Sequence, residues 1–240
     1  MPIFDCMCLP PVLLAQFANN GLISIMPRSE IDIGPSEHFE RTSPKAKVLL
    51  LACGALAREI VDLLEANAWQ GMAVQCLPAK WHNTPQLIVP ALREKIRANR
   101  MLYDKLFVLY GDCGTGGQLD ALLEQEGIER IAGPHCYSFF SGNQTFASRA
   151  EADMTSFFLT DYLARHFHKL IWQGLGLDRH PELRDDYFGN YTKLIYLAQI
   201  EDEALHHSAT EAAAKLGLEF EYRFTGYGEL REELTKLAKP

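Results

Sequence analysis

The sequence predicts an α/β fold built on parallel strands, and three observations carry that prediction. Apolar runs of strand length alternate with segments of helical periodicity, and the strand runs are apolar throughout rather than at every second position. Three strand-helix-strand units recur along the chain. They fit either one doubly wound sheet or a pseudo-threefold arrangement of small ones.

Residues 1 to 45 have weak periodicity and close on a polar, proline-bearing stretch, from Ile33-Gly34-Pro35-Ser36 to Thr42-Ser43-Pro44. They read as an N-terminal appendage or linker ahead of an α/β domain over residues 46 to 240. The first unit opens with Lys47 to Cys53, continues with Leu56, Ile60, Leu63 and Leu64 at helical spacing, and returns as a strand over Met72 to Leu77. Thr84 to Arg100 reads as a covering helix with Pro85 in its first turn.

The second unit runs from Lys105 to Tyr110, through the turn Gly111 to Gly117 and a helix with Leu119, Leu122 and Leu123, to a strand over Arg130 to Gly133. Thr155 to Trp172 reads as one apolar, aromatic helix, with Leu159, Leu163, Phe167, Leu170 and Ile171 on its core face. Asp161 and Arg165, four apart on another face, read as a surface or interface ion pair, or as polar groups among Phe157, Phe158 and Tyr162 that orient a ligand. The third unit is Lys193 to Ala198, a helix over Asp202 to Leu216, and a strand over Leu218 to Phe224.

Composition narrows the function. An apolar fraction of 48% over 240 residues is enough for a core without staples. A net charge of -8 offers no dense basic surface, so nucleic acid and anionic membrane are not expected partners. No Lys or Arg precedes Arg28, and Pro10, Pro11, Asn19 and Asn20 interrupt the early apolar residues, so the reading is a cytoplasmic chain without signal peptide or membrane span. Six cysteines are then expected as reduced thiols or ligands.

Cys53 and Cys113 each end a buried strand run and each precede a glycine, Gly54 or Gly114. In open parallel sheets ligands bind at the carboxyl ends of the strands, beside helix amino termini that favour a thiolate. Cys53 and Cys76 are 23 residues apart, as are Cys113 and Cys136, and Gln199 and Tyr222 repeat the interval in the third unit. The plain alternative for each cysteine is core packing, since cysteine is among the most buried residues. Cys76 reads as a strand residue, and Cys6 and Cys8 lie in the appendage.

The turn Gly111-Asp112-Cys113-Gly114-Thr115-Gly116-Gly117 holds four glycines in seven residues. The backbone of Gly114, Thr115, Gly116 and Gly117 is expected to form a nest for an anionic substrate group. It lacks the lysine and hydroxyl of a Walker loop, and no GxGxxG follows any strand. Asp112 reads either as a proton carrier or as a turn residue bonding its own backbone. His82, after the return strand of the first unit, and His135, beside Cys136, can assist catalysis or complete a ligand set. No serine-hydrolase elbow or HExxH occurs.

Several of these motifs in order, Leu51-Ala52-Cys53-Gly54-Ala55-Leu56, Tyr110 to Gly117, His135-Cys136-Tyr137, Phe158-Leu159-Thr160-Asp161 and Gly189-Asn190-Tyr191, resemble an uncharacterised prokaryotic domain-of-unknown-function family. It occurs in bacteria and methanogenic archaea, sometimes encoded beside corrinoid-dependent methyltransferases. The chain departs from that pattern at Ser138, where an acidic residue is usual, and at Thr155 or Ser156, where glycine is. A looser, topological likeness to quinolinate synthase sets Gln199 where a third cysteine would stand, so that Cys136 has to take its place.

The leading expectation is an enzyme with a thiolate-bound metal, a zinc ion or an iron-sulfur cluster, on Cys53, Cys113 and Cys136. Its catalytic residues would be Cys113, His82, His135 and Asp112, and its substrate a small anionic or thiol molecule. Methyl or one-carbon transfer follows from the resemblance alone. Two alternatives stay open: an accessory protein that docks a corrinoid protein or methyltransferase, and a metal-free enzyme with Cys113 as nucleophile activated by His135.

Overall fold

The computed structural model describes Gly34 and residues 37 to 239. Most of the stretch read as an appendage, Cys6 and Cys8 included, lies outside the described residues. The fold is α/β, and the chain divides into two compact units: residues up to Cys136 together with Leu230 onward, and Tyr137–Glu229.

In the first unit the elements are β1 (Phe39–Arg41), β2 (Val48–Cys53), α1 (Ala57–Ala66), β3 (Met72–Leu77), α2 (Ile88–Asn99), β4 (Lys105–Leu109), α3 (Gln118–Glu126) and β5 (Glu129–Arg130). The strands form one sheet in the order β1-β3-β2-β4-β5, all parallel except β1. Phe39 to Arg41, within the stretch read as a linker, is thus an edge strand, antiparallel to β3.

Leu49, Leu50 and Leu51 of β2 are wholly buried, as a central parallel strand covered on both faces requires. The chain leaves β2 toward β3 on one side and then crosses back to β4 on the other. Right-handed crossovers therefore place α1 on one face and α2 and α3, which pack together, on the opposite face. This reversal of winding puts the switch point of the sheet at the carboxyl ends of β2 and β4, the ends that carry Cys53 and lead to Cys113.

In the second unit the elements are α4 (Cys136–Ser141, its first residue in the first unit), α5 (Asn143–Ser148), β6 (Ser156–Thr160), α6 (Asp161–Phe167), α7 (Arg184–Phe188), β7 (Lys193–Ala198), α8 (Glu203–Leu216) and β8 (Glu219–Phe224). A last helix, α9 (Gly228–Ala238), runs on into the residues of the first unit. The sheet is parallel in the order β6-β7-β8. Its connections advance one way, so both crossovers cover the same face. There Phe157, Leu159, Leu194, Tyr196 and Ala198 pack against Ala164, Phe167, Leu205, Ala209 and Ala213. Asp202 caps α8, its carboxylate accepting from Leu205 N–H at 3.0 Å, and Gly217 ends it in the left-handed conformation at φ 72°.

The three strand-helix-strand units are present, two sharing the five-stranded sheet and the third in the three-stranded one. The single helix expected over Thr155 to Trp172 is corrected: Ser156–Thr160 is a strand, Asp161–Phe167 a helix, and His168–Trp172 a π turn. Phe157 and Leu159 pair beside Leu194 and Tyr196 in register, so sheet burial overrides a periodicity that also fits a helix. Thr160 starts the helix, its Oγ1 accepting from Leu163 N–H.

Asp161 is corrected too. Rather than forming a surface pair with Arg165, it is buried at the ends of β6 and β7 and accepts from Tyr196 Oη at 2.7 Å and from Gln199 and Ile200 N–H at 3.1 Å each. Burial raises its carboxyl above the usual carboxylate range, more than these three donors and the charge of Arg165 lower it. Asp161→Ala leaves three donors facing a void. It is expected to cost on the order of 3 kcal/mol in urea unfolding, and an unchanged midpoint would show that the clasp carries no stability.

Candidate metal centre

Four strand ends of the five-stranded sheet converge. Cys53 is the last residue of β2, and His82 sits in a 3₁₀ turn, Ala79–Asn83, just after β3. Cys113 follows β4 by four residues, and His135 ends the loop that leaves β5. His82, Cys113 and His135 each bring one ligand atom within 4.8 Å of the others', with the cysteine buried and the histidines half-buried. Among the described residues this is the grouping of three such donors that could hold a metal ion.

Two glycines make the convergence sterically possible. A Cβ on Gly111 would lie 2.8 Å from the backbone N and Cα of His135 and from Pro134 O. The bare backbone lets Asp112 N–H donate to Pro134 O at 3.1 Å, which ties the Cys113 turn to the His135 loop. A Cβ on Gly54 would lie 2.9 Å from Leu77 O and 3.2 Å from Ala79 N, where the chain enters the His82 turn.

Arg130 secures the His135 loop from the other side. Its guanidinium pairs with Asp120 of α3 at 2.6 and 3.0 Å and donates to Ile131 O and Gly133 O at 2.9 Å each. Cys113 itself stands at φ 47°, a left-handed backbone that costs energy for a residue with a Cβ.

The remaining expected site residues are placed as follows. Cys53 Sγ lies 3.9 Å from His82 Nδ1, and Cys136 Sγ lies 3.4 Å from His135 Nδ1. Each of these thiols thus faces a ring nitrogen of one histidine, and the ion-sized grouping joins Cys113 to the two histidines rather than to the two other cysteines. The rings of His82 and His135 meet edge to face, with centroids 5.6 Å apart.

Asp112 folds into its own turn. Its carboxylate accepts from Thr115 Oγ1 at 2.6 Å and from the N–H groups of Gly117 at 2.9 Å and Gly116 at 3.2 Å. The nest formed by Gly116 and Gly117 therefore holds the chain's own carboxylate. Gly114, Gly116 and Gly117 all have positive φ, between 61° and 81°, which explains why the turn is glycine-rich.

Burial sets the charge states. It pushes the Cys53 thiol up to about 11, outweighing the hydrogen bond from Ala55 N–H and the nearby Tyr110 hydroxyl. In the metal-free chain, desolvation at Cys53 thus exceeds what the start of the following turn returns through one amide. Burial lowers His82 to about 4, and burial together with the neighbouring His82 lowers His135 to about 3. Both imidazoles are neutral near pH 7 and keep a lone pair for a ligand. Sequence reasoning named His82, Cys113 and His135 among residues that could complete a ligand set, but put the metal on the three cysteines. It missed Arg130 and the close approach at Gly111, whose only trace in sequence is a glycine ahead of the Asp112-Cys113 pair.

The two depressed histidines fix a pH dependence for the metal-free chain. Below about 6.5 the unfolded chain takes up protons at these positions and the folded chain does not. Stability is expected to be level above pH 7 and to fall as pH drops from about 6.5 toward 4 and then 3. Urea midpoints across that range, in chelator, check this. His82→Gln with His135→Gln should flatten the fall, and a slope unchanged in the double variant would contradict the assignment.

Among the described residues no helix is long and apolar enough to cross a membrane. No curated protein and no solved structure matches the chain. A family match does exist, over residues 76–234, a span that contains His82, Cys113, His135 and Cys136 and leaves Cys53 outside. The chain belongs to the family described as Protein of unknown function (DUF1638).

Proposed function

We propose that the protein is a zinc enzyme in which His82, Cys113 and His135 hold the ion and the fourth position takes a small thiol or a water. The observation that carries this reading is the convergence of one cysteine and two histidines from three strand ends, their ligand atoms within 4.8 Å of one another. Zinc bonds of roughly 2.0 Å to nitrogen and 2.3 Å to sulfur, at tetrahedral angles, separate donors by about 3.5 Å, so small side-chain shifts close the site. A borderline-soft set of one thiolate and two imidazoles suits a single zinc ion better than an iron-sulfur cluster, which draws mainly on thiolates.

Zinc so held gives a bound thiol or water a lowered pKa and hence nucleophilic strength at neutral pH. The neutral state of both histidines supports this, since metal must otherwise compete with protons. For the reaction, methyl or one-carbon transfer to or from a thiol is the reading that the resemblance favours, with a corrinoid protein or methyltransferase as exchange partner. The likeness to that family, not the site, carries this last step.

Protein purified without oxygen is expected to contain about one zinc per chain. Cys113→Ser and His135→Ala should lose it, and Gly111→Ala should weaken it by driving the His135 loop away. A trace of metal well below stoichiometry, unaltered by all three substitutions, overturns the proposal.

A further inference from the structure

The three-stranded sheet of the second unit has a second face, away from its crossover helices. Register places Phe158 of β6, Lys193 and Ile195 of β7, and Glu221 and Arg223 of β8 on that side. A parallel sheet ordinarily buries both faces, and here the short helices α4 and α5 contribute Phe140 and Phe146 to a cavity of about 320 Å³ over it. That volume is in the range of sites for small organic molecules.

The cavity combines aromatic walls with an unbalanced charge network. Phe146 and Phe158 meet with ring centroids 5.9 Å apart, and Phe140 lines the same space. Asp153 and Glu221 are the two carboxylates of the network, against Arg149, Lys193 and Arg223. Among these paired groups one positive charge is in excess; Glu219, opposite Lys193 on the same face, is an exposed carboxylate outside the pairs.

The hydrogen-bond lengths identify which cation carries that excess. Arg223 is fully committed, with both terminal nitrogens on Asp153 at 2.6 and 2.7 Å and Nε on Glu221 at 2.6 Å. Lys193 is held on Glu221 at 3.0 Å. Arg149 reaches the carboxylates only at 3.3 and 3.5 Å, and its side chain is 45% exposed. It lines the cavity beside the aromatic rings.

We infer that this cavity is a binding site for a small monoanion with a flat apolar body, such as an aryl carboxylate. Its carboxylate pairs with Arg149 and its ring lies among Phe140, Phe146 and Phe158. A guanidinium fork matches a carboxylate in shape as well as charge, and aromatic walls take a flat body with little loss of ligand freedom. A neutral or cationic ligand of the same shape leaves the excess charge unmet. The site owes nothing to the metal centre, so either assignment stands or falls without the other.

Fluorine NMR of 4-fluorobenzoate titrated with the full chain tests it, with 4-fluorobenzamide as the neutral control. Saturable broadening by the benzoate is expected, with the benzamide weaker by about tenfold or more and Arg149→Gln weakening the benzoate by a similar factor. Phe146→Ser, at a half-buried position of α5, should weaken both probes. Absence of benzoate binding at millimolar concentration, equal binding of the benzamide, or benzoate binding unchanged by Arg149→Gln overturns the inference.

Discussion

The candidate metal centre depends on how closely two backbone segments can approach at the ends of a parallel sheet. Gly111 lies against Pro134 and His135 at a distance that admits no Cβ, and Gly54 stands in the same relation to Leu77 and Ala79. Parallel strands bring their carboxyl ends to one edge, but neighbouring strands still lie about 4.8 Å apart. Loops must fold inward to set donors from three strands within reach of one ion. The bare glycine backbone permits that folding, and the Asp112 amide and the Arg130 guanidinium fix it.

Burial then decides what the converged groups can do. Taken out of water, Cys53 stays a neutral thiol and both histidines stay neutral imidazoles. A neutral imidazole is a ligand or a base, whereas a charged one would repel a cation. The same closeness places a thiol against each ring, Cys53 at His82 and Cys136 at His135, where a sulfur can accept a ring N–H and orient the other nitrogen. The glycine-rich turn, in contrast, is organised around its own Asp112 and spends its amides on shaping the approach to Cys113.

Much of this was legible in the sequence, for reasons that also explain the rest. Continuous apolar runs such as Val48 to Cys53 mark strands buried on both faces, and the three strand-helix-strand units follow from them. Ser156 to Thr160 was misread because Leu159, Leu163 and Phe167 satisfy helical spacing, while the partner strand β7 that makes the segment a strand lies more than thirty residues on. His82, Cys113 and His135 were each visible as strand-end residues. That the two histidines rather than the two other cysteines would join Cys113 was not, because side-chain direction there depends on the positive φ of Cys113 and on contacts across loops that spacing does not encode. The charge network over the second sheet was hidden for a similar reason: Arg149, Asp153, Lys193, Glu221 and Arg223 come from three separate stretches of chain.

X-ray absorption at the zinc edge, on chain loaded with a single zinc ion in buffer free of small thiols, tests the central assignment most directly. One sulfur at about 2.3 Å with two imidazole nitrogens at about 2.0 Å, and one further light atom, is the shell that His82, Cys113 and His135 require. Two or three sulfurs in that shell, or none, would contradict it by giving the ion to Cys53 and Cys136 or to residues elsewhere.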